Sequence, residues 1–173
     1  MLWAVFREDS AVSSIPLFRW LLLAALSVSP LAAADDCRQS TKATTIMAEI
    51  VAWPEDAARP LLLADDTRTR RAGMQWLCPD VVAAQPMLFV FSRPQNARFH
   101  GNNVFVDLDL AWLDAEGRVL DVVRLPRKGE VAYDRPIAAV LEASAGSFER
   151  WGLEPGMRIP FSPSLEQLIR NAR

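Results

Sequence analysis

The chain has few of the residues on which enzyme chemistry commonly depends. Its 173 residues include one histidine and two cysteines. A lone histidine has no second imidazole to help it bind a metal, and the cysteines fit neither a Cys-x-x-Cys redox unit nor a zinc knuckle. The sequence also has no Gly-x-Ser-x-Gly motif and no glycine-rich phosphate loop. These absences argue against serine hydrolases and cofactor enzymes, and we expect no cofactor.

The chain also lacks a strong excess of charge of either sign. Its formal net charge is −2, and its densest basic run is limited to Arg68, Arg70 and Arg71. A phosphate backbone is bound by clustered lysine and arginine, so we expect no nucleic acid partner. We interpret the basic run as the solvated face of a short helix, and a small phosphate or carboxylate site is the alternative.

An apolar leader opens the sequence. Arg19 and Trp20 precede the apolar run 21–28, and Leu-Ala-Ala-Ala at 31–34 suits a signal peptidase. We expect cleavage after Ala34, which makes residues 1–34 a signal peptide and residues 35–173 a single globular domain. A retained anchor is the alternative, but the run is short for a membrane span. We therefore predict a monomeric protein that is exported, periplasmic or secreted, with no stable membrane insertion after cleavage.

Two cysteines, Cys37 and Cys78, remain after this cleavage. In an oxidising compartment two cysteines have one possible intramolecular pairing. We predict a structural disulfide that ties the start of the mature chain to the end of the first helix. Two free thiols are the alternative.

Short strands separated by turn residues dominate the rest of the chain. We predict a helix over 67–77 that contains Gly73, a single helical turn closed by Gly152, and a helix over 164–172. A polar loop is expected over 92–97 and a charged turn over 127–130. The predicted strands cover 45–53, 60–64, 86–91, 104–113, 118–125, 136–143 and 157–161. This pattern predicts an α+β fold, a mostly antiparallel compact β-barrel or sandwich-like domain with two or three short helices.

The stretch from Phe99 to Leu113 carries the candidate site. In the predicted strand 104–113 one set of alternate side chains is apolar and forms the core. Asp107 and Asp109 belong to the other set, about 7 Å apart by strand rise. The polar residues immediately before the strand are His100, Asn102 and Asn103.

These residues admit three classes of function, and the polar patch has no accompanying nucleophile. We favour a non-enzymatic module that binds a small polar ligand, carbohydrate being one example, or docks on an envelope protein partner. Phe99 or Phe105 would supply the apolar platform. The alternative is a hydrolase that uses Asp109 with Asp107 or Glu142. The third class is a hard-metal module built on His100 and the two aspartates.

Several segments in order along the chain resemble one uncharacterised family, known as domain of unknown function 192. The resemblance covers about residues 61–161. The matching segments are Arg70 with Gly73 and Met74, Met87–Phe91, Phe99–Val104, Asp107–Asp109, Asp114–Gly117, Leu141 and Glu142 with Gly146, and Gly156. The chain departs from the family pattern at His100, Gly101, Asn102, Val104 and Asp107. The last of these stands in place of a proline, so we expect its carboxylate to be solvated.

The resemblance implies a fold and the place of a site, and it implies no activity. The residues that retain the pattern are Phe99, Asn103, Leu108, Asp109 and Glu142. For Asp109 a structural role, accepting hydrogen bonds that fix the turn before the strand, is the alternative to ligand binding. The candidate ligand-binding residues are Phe99, His100, Asn102, Asn103, Asp107, Asp109, Arg70 and Glu142, with no metal ligands among them.

Overall fold

A computed structural model describes residues 37–41, 44–46 and 59–173. The predicted signal peptide, residues 1–34, therefore lies outside the described residues. The strands are β1 (Thr44–Ile46), β2 (Leu61–Ala64), β3 (Met87–Gln95), β4 (Arg98–His100), β5 (Leu108–Leu113), β6 (Val119–Leu125), β7 (Glu130–Ala132) and β8 (Ile137–Ser144). The helices are α1 (Thr67–Ala72), α2 (Pro79–Ala84), α3 (Ser147–Trp151) and α4 (Leu165–Asn171).

Six of the strands form one open sheet in the order β1-β2-β3-β8-β5-β6, and β4 pairs with β7 in a separate two-stranded ribbon. The pairing is antiparallel except between β2 and β3. The predicted α+β class, with mostly antiparallel sheets and short helices, is confirmed. The central strand is β8, which lies between β3 and β5 and is therefore hydrogen-bonded on both sides.

Both faces of the central sheet are covered. On β5, Leu110 and Trp112 belong to one apolar cluster, and Ala111 and Leu113 belong to another. The first cluster includes Met74 and the β3 aromatics, and the second includes residues of α3 and α4. We call the first of these faces the ribbon face because Phe99 of β4 packs against it. The sequence pattern predicted one of these faces as core, whereas the structure buries side chains on both.

The segment around the first helix differs from the prediction. The helix begins at the predicted residue, 67, and Asp66 caps it, since its carboxylate accepts the Arg68 and Thr69 N–H groups at 2.7 and 2.8 Å. Gly73, however, is the residue that ends the helix, with φ of 48° in the left-handed region, so α1 stops five residues before the predicted end at 77. Pro79 begins α2 instead of only stopping a helix, because the first helical position does not need a donor N–H.

The strand boundaries also shift. β3 continues to Gln95 through the predicted polar loop, and β4 and β7 form in segments predicted as irregular. β5 begins at Leu108, not at 104, where it pairs with Leu125 of β6. Pro126 follows at once and has no N–H to extend that ladder. Residues 157–161 make only an isolated bridge, through Arg158, and the predicted strand 45–53 falls mostly outside the described residues.

The predicted disulfide between Cys37 and Cys78 is confirmed, with the two sulfurs 2.05 Å apart. Backbone hydrogen bonds join the same two segments, from Arg38 N–H to the Trp76 carbonyl at 2.6 Å and from Cys78 N–H to the Arg38 carbonyl at 3.0 Å. The bridge therefore fixes residues 37–41 against the turn that follows α1. Across the ranges that the structure describes, no helix has the length and apolar character needed to cross a bilayer.

Candidate functional site

A cavity of about 550 Å³ lies on the ribbon face of the sheet. Its sides are α1 with the turn after it, the outer half of β3, and β4. We call it the ribbon pocket. The side chains on which its chemistry depends are Arg70, Arg71, Met74, Phe89, Phe91, Arg98, Phe99, His100, Val104 and Glu142.

Glu142 is the buried acid of the ribbon pocket. It lies in the C-terminal half of β8, in register with Met87 of β3 and Leu110 of β5, and is 4% exposed. Within the described part of the chain, no side chain or backbone group forms a hydrogen bond or ion pair with its carboxyl group. Burial raises the pKa of the Glu142 carboxyl from 4.5 to about 8. At neutral pH this group is therefore mostly protonated, and it can both donate and accept a hydrogen bond.

Phe89 and Phe99 line the pocket together with this acid, and the rings of Trp112 and Tyr133, which are not part of the lining, extend the aromatic cluster. Phe89 and Phe99 meet edge to face with ring centroids 4.9 Å apart, and Phe99 meets Trp112 at 5.6 Å. Tyr133 stacks on the opposite side of Trp112 at 5.7 Å. Because such contacts favour particular ring orientations, Phe99 is held in place although it lies on the short β4 strand.

The mouth of the pocket is basic. Arg70 donates to the Val90 carbonyl at 2.9 Å and to the Arg173 carbonyl at 2.7 Å, and its guanidinium lies 5.7 Å from the centre of the Phe91 ring. Arg98 pairs with Glu130 across the ribbon. Arg71 is exposed, and its guanidinium has no ion-pair partner among the residues with described positions. Glu142 is the sole acidic side chain among the described residues that line the pocket.

Four of the sequence candidates line this pocket: Arg70, Phe99, His100 and Glu142. His100 is exposed at the mouth, at the end of β4. Asn103 lies beside the pocket, where its amide donates to the Gln75 side chain at 3.1 Å. Asn102 is exposed and does not contribute to the lining.

The two aspartates lie outside the ribbon pocket and bind different partners. Asp109 is 4% exposed; it accepts the Arg124 Nε–H at 2.6 Å and the Phe148 backbone N–H at 3.3 Å. These bonds join β5 to β6 and to α3. Asp107 precedes the strand, is exposed, and accepts the Arg127 N–H at 2.8 Å. Hydrogen bonding between strands and turns accounts for both carboxylates.

The pocket also contains residues that sequence reasoning did not select. Phe89 and Phe91 were interpreted as parts of a buried strand, and Arg71 as a solvated helix residue. The register between β3 and β8 places both phenylalanines on the same face of the sheet as Glu142. Knowledge of that register would have been enough to find these pocket residues. That register depends on tertiary pairing between distant segments, so the pattern of each segment alone could not identify a shared pocket.

A metal centre receives no support from the arrangement of ligands. Over residues 37–41, 44–46 and 59–173, no three histidine, cysteine, aspartate or glutamate side chains are grouped as a metal site. His100 is at the pocket mouth, whereas Asp109 lies among the residues packed beneath α3. The three predicted ligands of the metal alternative are thus attached to different parts of the fold.

Comparisons with known proteins place this fold among proteins of unestablished function. No curated protein matches the chain significantly. One similar protein is a candidate transcription regulator from Sinorhizobium meliloti, known from a crystal structure. Its sequence is 24% identical to this chain and the TM-score is 0.56; the match covers 61% of this chain and 84% of that protein. A protein of unknown function from Novosphingobium aromaticivorans is 20% identical with a TM-score of 0.56. That match covers 72% of this chain and 91% of the other protein. At these identities the likeness shows the fold alone.

The family comparison covers most of the folded region. The DUF192 family, described as "Uncharacterized ACR", matches residues 49–161. The match includes all the strands and turns that form the ribbon pocket, among them Gly73, Phe99 and Glu142. The chain belongs to the DUF192 family.

Proposed function

We propose that this chain is an exported, non-enzymatic protein that binds a small ligand in the ribbon pocket. The observation that carries the proposal is the carboxyl group of Glu142, which is buried and unpartnered among the described residues and faces a cavity of ligand size. Ligand pockets typically have volumes of about 300 to 1,000 Å³, mostly apolar walls and a few polar groups. The volume of the ribbon pocket lies in this range, and its buried inner part is apolar, whereas polar and charged side chains make up about half of the whole lining.

The cost of burying Glu142 supports a ligand as its partner. Among the described residues no side-chain oxygen or nitrogen is fully enclosed without a hydrogen-bond partner, so the unbonded carboxyl oxygens of Glu142 open into the pocket. Their burial therefore costs less than that of an enclosed polar group, about 1 to 3 kcal/mol, but an apolar residue at this position would avoid even that cost. Since Glu142 lies on β8, which is hydrogen-bonded on both sides, its burial is set by the sheet and not by a movable loop. A bound ligand that forms a hydrogen bond with the carboxyl group would offset the cost.

Binding fits the arrangement of acids better than hydrolysis does. Glycoside hydrolysis by two carboxyl groups needs both of them beside the same bond. In the described pocket lining, Glu142 has no second carboxyl group beside it, and Asp107 and Asp109 are hydrogen-bonded elsewhere. The geometry therefore favours recognition of a ligand over the hydrolase alternative.

The proposal also states where the protein is found, namely outside the cytosol after export. The Cys37–Cys78 disulfide supports it, because structural disulfides persist in oxidising compartments and are rare in the bacterial cytosol. Mass spectrometry of the protein recovered from the producing cells should find a mature N-terminus at Asp35 and a bonded cysteine pair. An intact Met1 with reduced cysteines would contradict export.

A thermal-shift screen tests the binding proposal. The disulfide-bonded protein is screened against monosaccharides, amino acids, aromatic acids and aromatic alcohols, in parallel with Phe99→Ala and Glu142→Gln variants. The matched control is Glu154→Gln, which changes an exposed acid outside the pocket. A ligand at 100 times its dissociation constant adds about 2.7 kcal/mol to stability, which is a readily measured shift.

The expected result is stabilisation of the wild type and of Glu154→Gln by the same compounds, with a smaller shift in the two pocket variants. Phe99→Ala removes part of the aromatic wall without altering the buried acid, so it tests the pocket even where Glu142→Gln changes the stability of the fold. Absence of a shift in every compound class, or equal shifts in all four proteins, would overturn the proposal.

A further inference from the structure

The charges around the ribbon pocket constrain the ligand further than its size does. Three arginines and one histidine contribute to the lining, against the single acid Glu142. Arg70 donates to the main-chain oxygens of Val90 and Arg173, and Arg98 is paired with Glu130. The positive charge at the mouth therefore exceeds the negative charge. Such a field attracts anions and opposes an ammonium group moving inward to Glu142.

Arg71 is the residue at the mouth that is available to an incoming anion. Its guanidinium is exposed and has no ion pair with another described residue. Its position is fixed by α1, the helix capped by Asp66. A guanidinium binds a carboxylate through two parallel hydrogen bonds, and an exposed arginine can adopt that geometry without breaking an existing contact.

The inner part of the pocket has the opposite character. Met74, Phe89 and Val104 are each less than 10% exposed, and with Phe99 they form the apolar lining of the pocket that contains Glu142. A ligand with hydroxyl groups all around its ring would bury some of them against these side chains without partners, at a cost for each. A ligand with an apolar body and one inner polar group avoids this cost.

Building on the proposed function, we infer that the ligand is a small aromatic monocarboxylate with a hydroxyl group at its opposite end. The carboxylate lies at the mouth beside Arg71, the ring packs against Phe89 and Phe99, and the hydroxyl group forms a hydrogen bond with Glu142. The assignment matches each part of the ligand to a different part of the pocket. It replaces a carbohydrate with a molecule that has one polar group at each end.

Two matched sets of compounds test this assignment by isothermal titration calorimetry. The first set keeps the phenol and changes the outer group: para-hydroxyphenylpropionate, its neutral amide, and the cationic amine tyramine. The second set keeps the carboxylate and removes the hydroxyl group: phenylpropionate against para-hydroxyphenylpropionate. Para-hydroxybenzoate is included as a shorter acid, because ligand length determines whether both ends can be reached at once.

For the wild type we expect the hydroxylated acid to bind most tightly, about tenfold more tightly than the amide, which corresponds to about 1.4 kcal/mol. Arg71→Ala should remove most of this preference and leave the affinity for the amide unchanged. Arg68→Ala is the matched control, since Arg68 is an exposed arginine of the same helix that does not line the pocket. Raising the salt concentration should weaken binding of the acid and not of the amide.

Glu142→Gln and Glu142→Leu test the inner end. Both variants should reduce the preference for the hydroxylated acid over phenylpropionate, and the leucine variant should abolish it. Equal or tighter binding of the amide or of tyramine would overturn the inference and leave the proposed function standing. If only compounds of another class bind in the thermal-shift screen, this inference is likewise overturned and the proposed function stands. A complete absence of binding, in the screen and in both sets, would overturn both.

Discussion

Replacing Glu142 with glutamine should change how the stability of the protein depends on pH. The carboxyl group has a pKa of about 8 in the folded protein and 4.5 as its ordinary value. Between these two values the folded state retains a proton that the unfolded chain has released. The free energy of unfolding therefore falls as pH rises through this window, and it stops falling above the folded pKa.

The size of the effect follows from the separation of the two values. Each pKa unit corresponds to about 1.36 kcal/mol, so the full window is worth roughly 5 kcal/mol. The amide of Glu142→Gln does not titrate. The difference in unfolding free energy, variant minus wild type, should accordingly grow by roughly 3 to 4 kcal/mol between about pH 5 and about pH 8.

Urea titrations at several pH values across this window measure the difference directly. Other titrating groups, including those outside the described residues, are common to the two proteins and cancel in the subtraction. A second comparison with Glu154→Gln controls for the loss of a carboxyl group at the surface, since Glu154 is exposed. If the variant and the wild type respond to pH with equal slopes, the Glu142 carboxyl group is ionised or hydrogen-bonded in the folded protein, and the reasoning fails.

Three further changes test the structural contacts. Asp109→Ala leaves the buried Phe148 N–H without its acceptor. We expect it to lower the unfolding free energy by about 2 to 4 kcal/mol without altering ligand affinity. Weakened binding at unchanged stability would refute the structural role. Removing the disulfide by Cys37→Ala with Cys78→Ala should lower the unfolding free energy measured in urea by about 4 kcal/mol. This is the chain-entropy value for cysteines 41 residues apart. A loss near zero would contradict this prediction. Gly101→Ala places a Cβ 2.4 Å from the backbone oxygen of Pro126. It should lower the melting temperature by an amount that corresponds to about 1 to 3 kcal/mol of stability. The neighbouring change Asn102→Ala should leave the melting temperature unchanged.

Local signals in the sequence were sufficient for many of the elements. The predicted starts of the first and last helices, at residues 67 and 164, agree with the structure to within one residue, and the side chains of Asp66 and Ser164 accept backbone N–H groups in the first turns. Gly152 was predicted to close a single helical turn, and in the structure it caps α3 with a φ of 61°. Each of these predictions depends on residues within a few positions of one another.

The errors arose where distant segments determine the local structure. The run from Val104 alternates like a strand, yet the ladder begins at Leu108, where the partner strand β6 ends before Pro126. β4 forms because β7, more than thirty residues away, pairs with it through Phe99 and Val131. Neither partner can be identified from the alternation of apolar residues in one segment.

The candidate site was predicted in part for the same reason. Phe99 and Glu142 were selected from the family pattern, and the structure places both at one pocket. The emphasis on Asp109 came from its position next to a polar cluster in the sequence. The structure instead directs that carboxylate to Arg124 and Phe148 on the far side of the sheet. Proximity along the chain therefore indicated the right region but not the right acid.

The ribbon pocket combines a floor from the centre of the main sheet with a wall from the separate β4–β7 ribbon. Amide protons of β8, bonded on both sides, should exchange with solvent at rates close to those of global unfolding, and those of the ribbon should exchange faster. If the pocket binds a ligand as proposed, substitutions in the ribbon are expected to change ligand preference, while the strand that carries Glu142 keeps the domain folded. In this chain, His100 of the ribbon already departs from the family pattern, whereas Phe99 beside it retains that pattern.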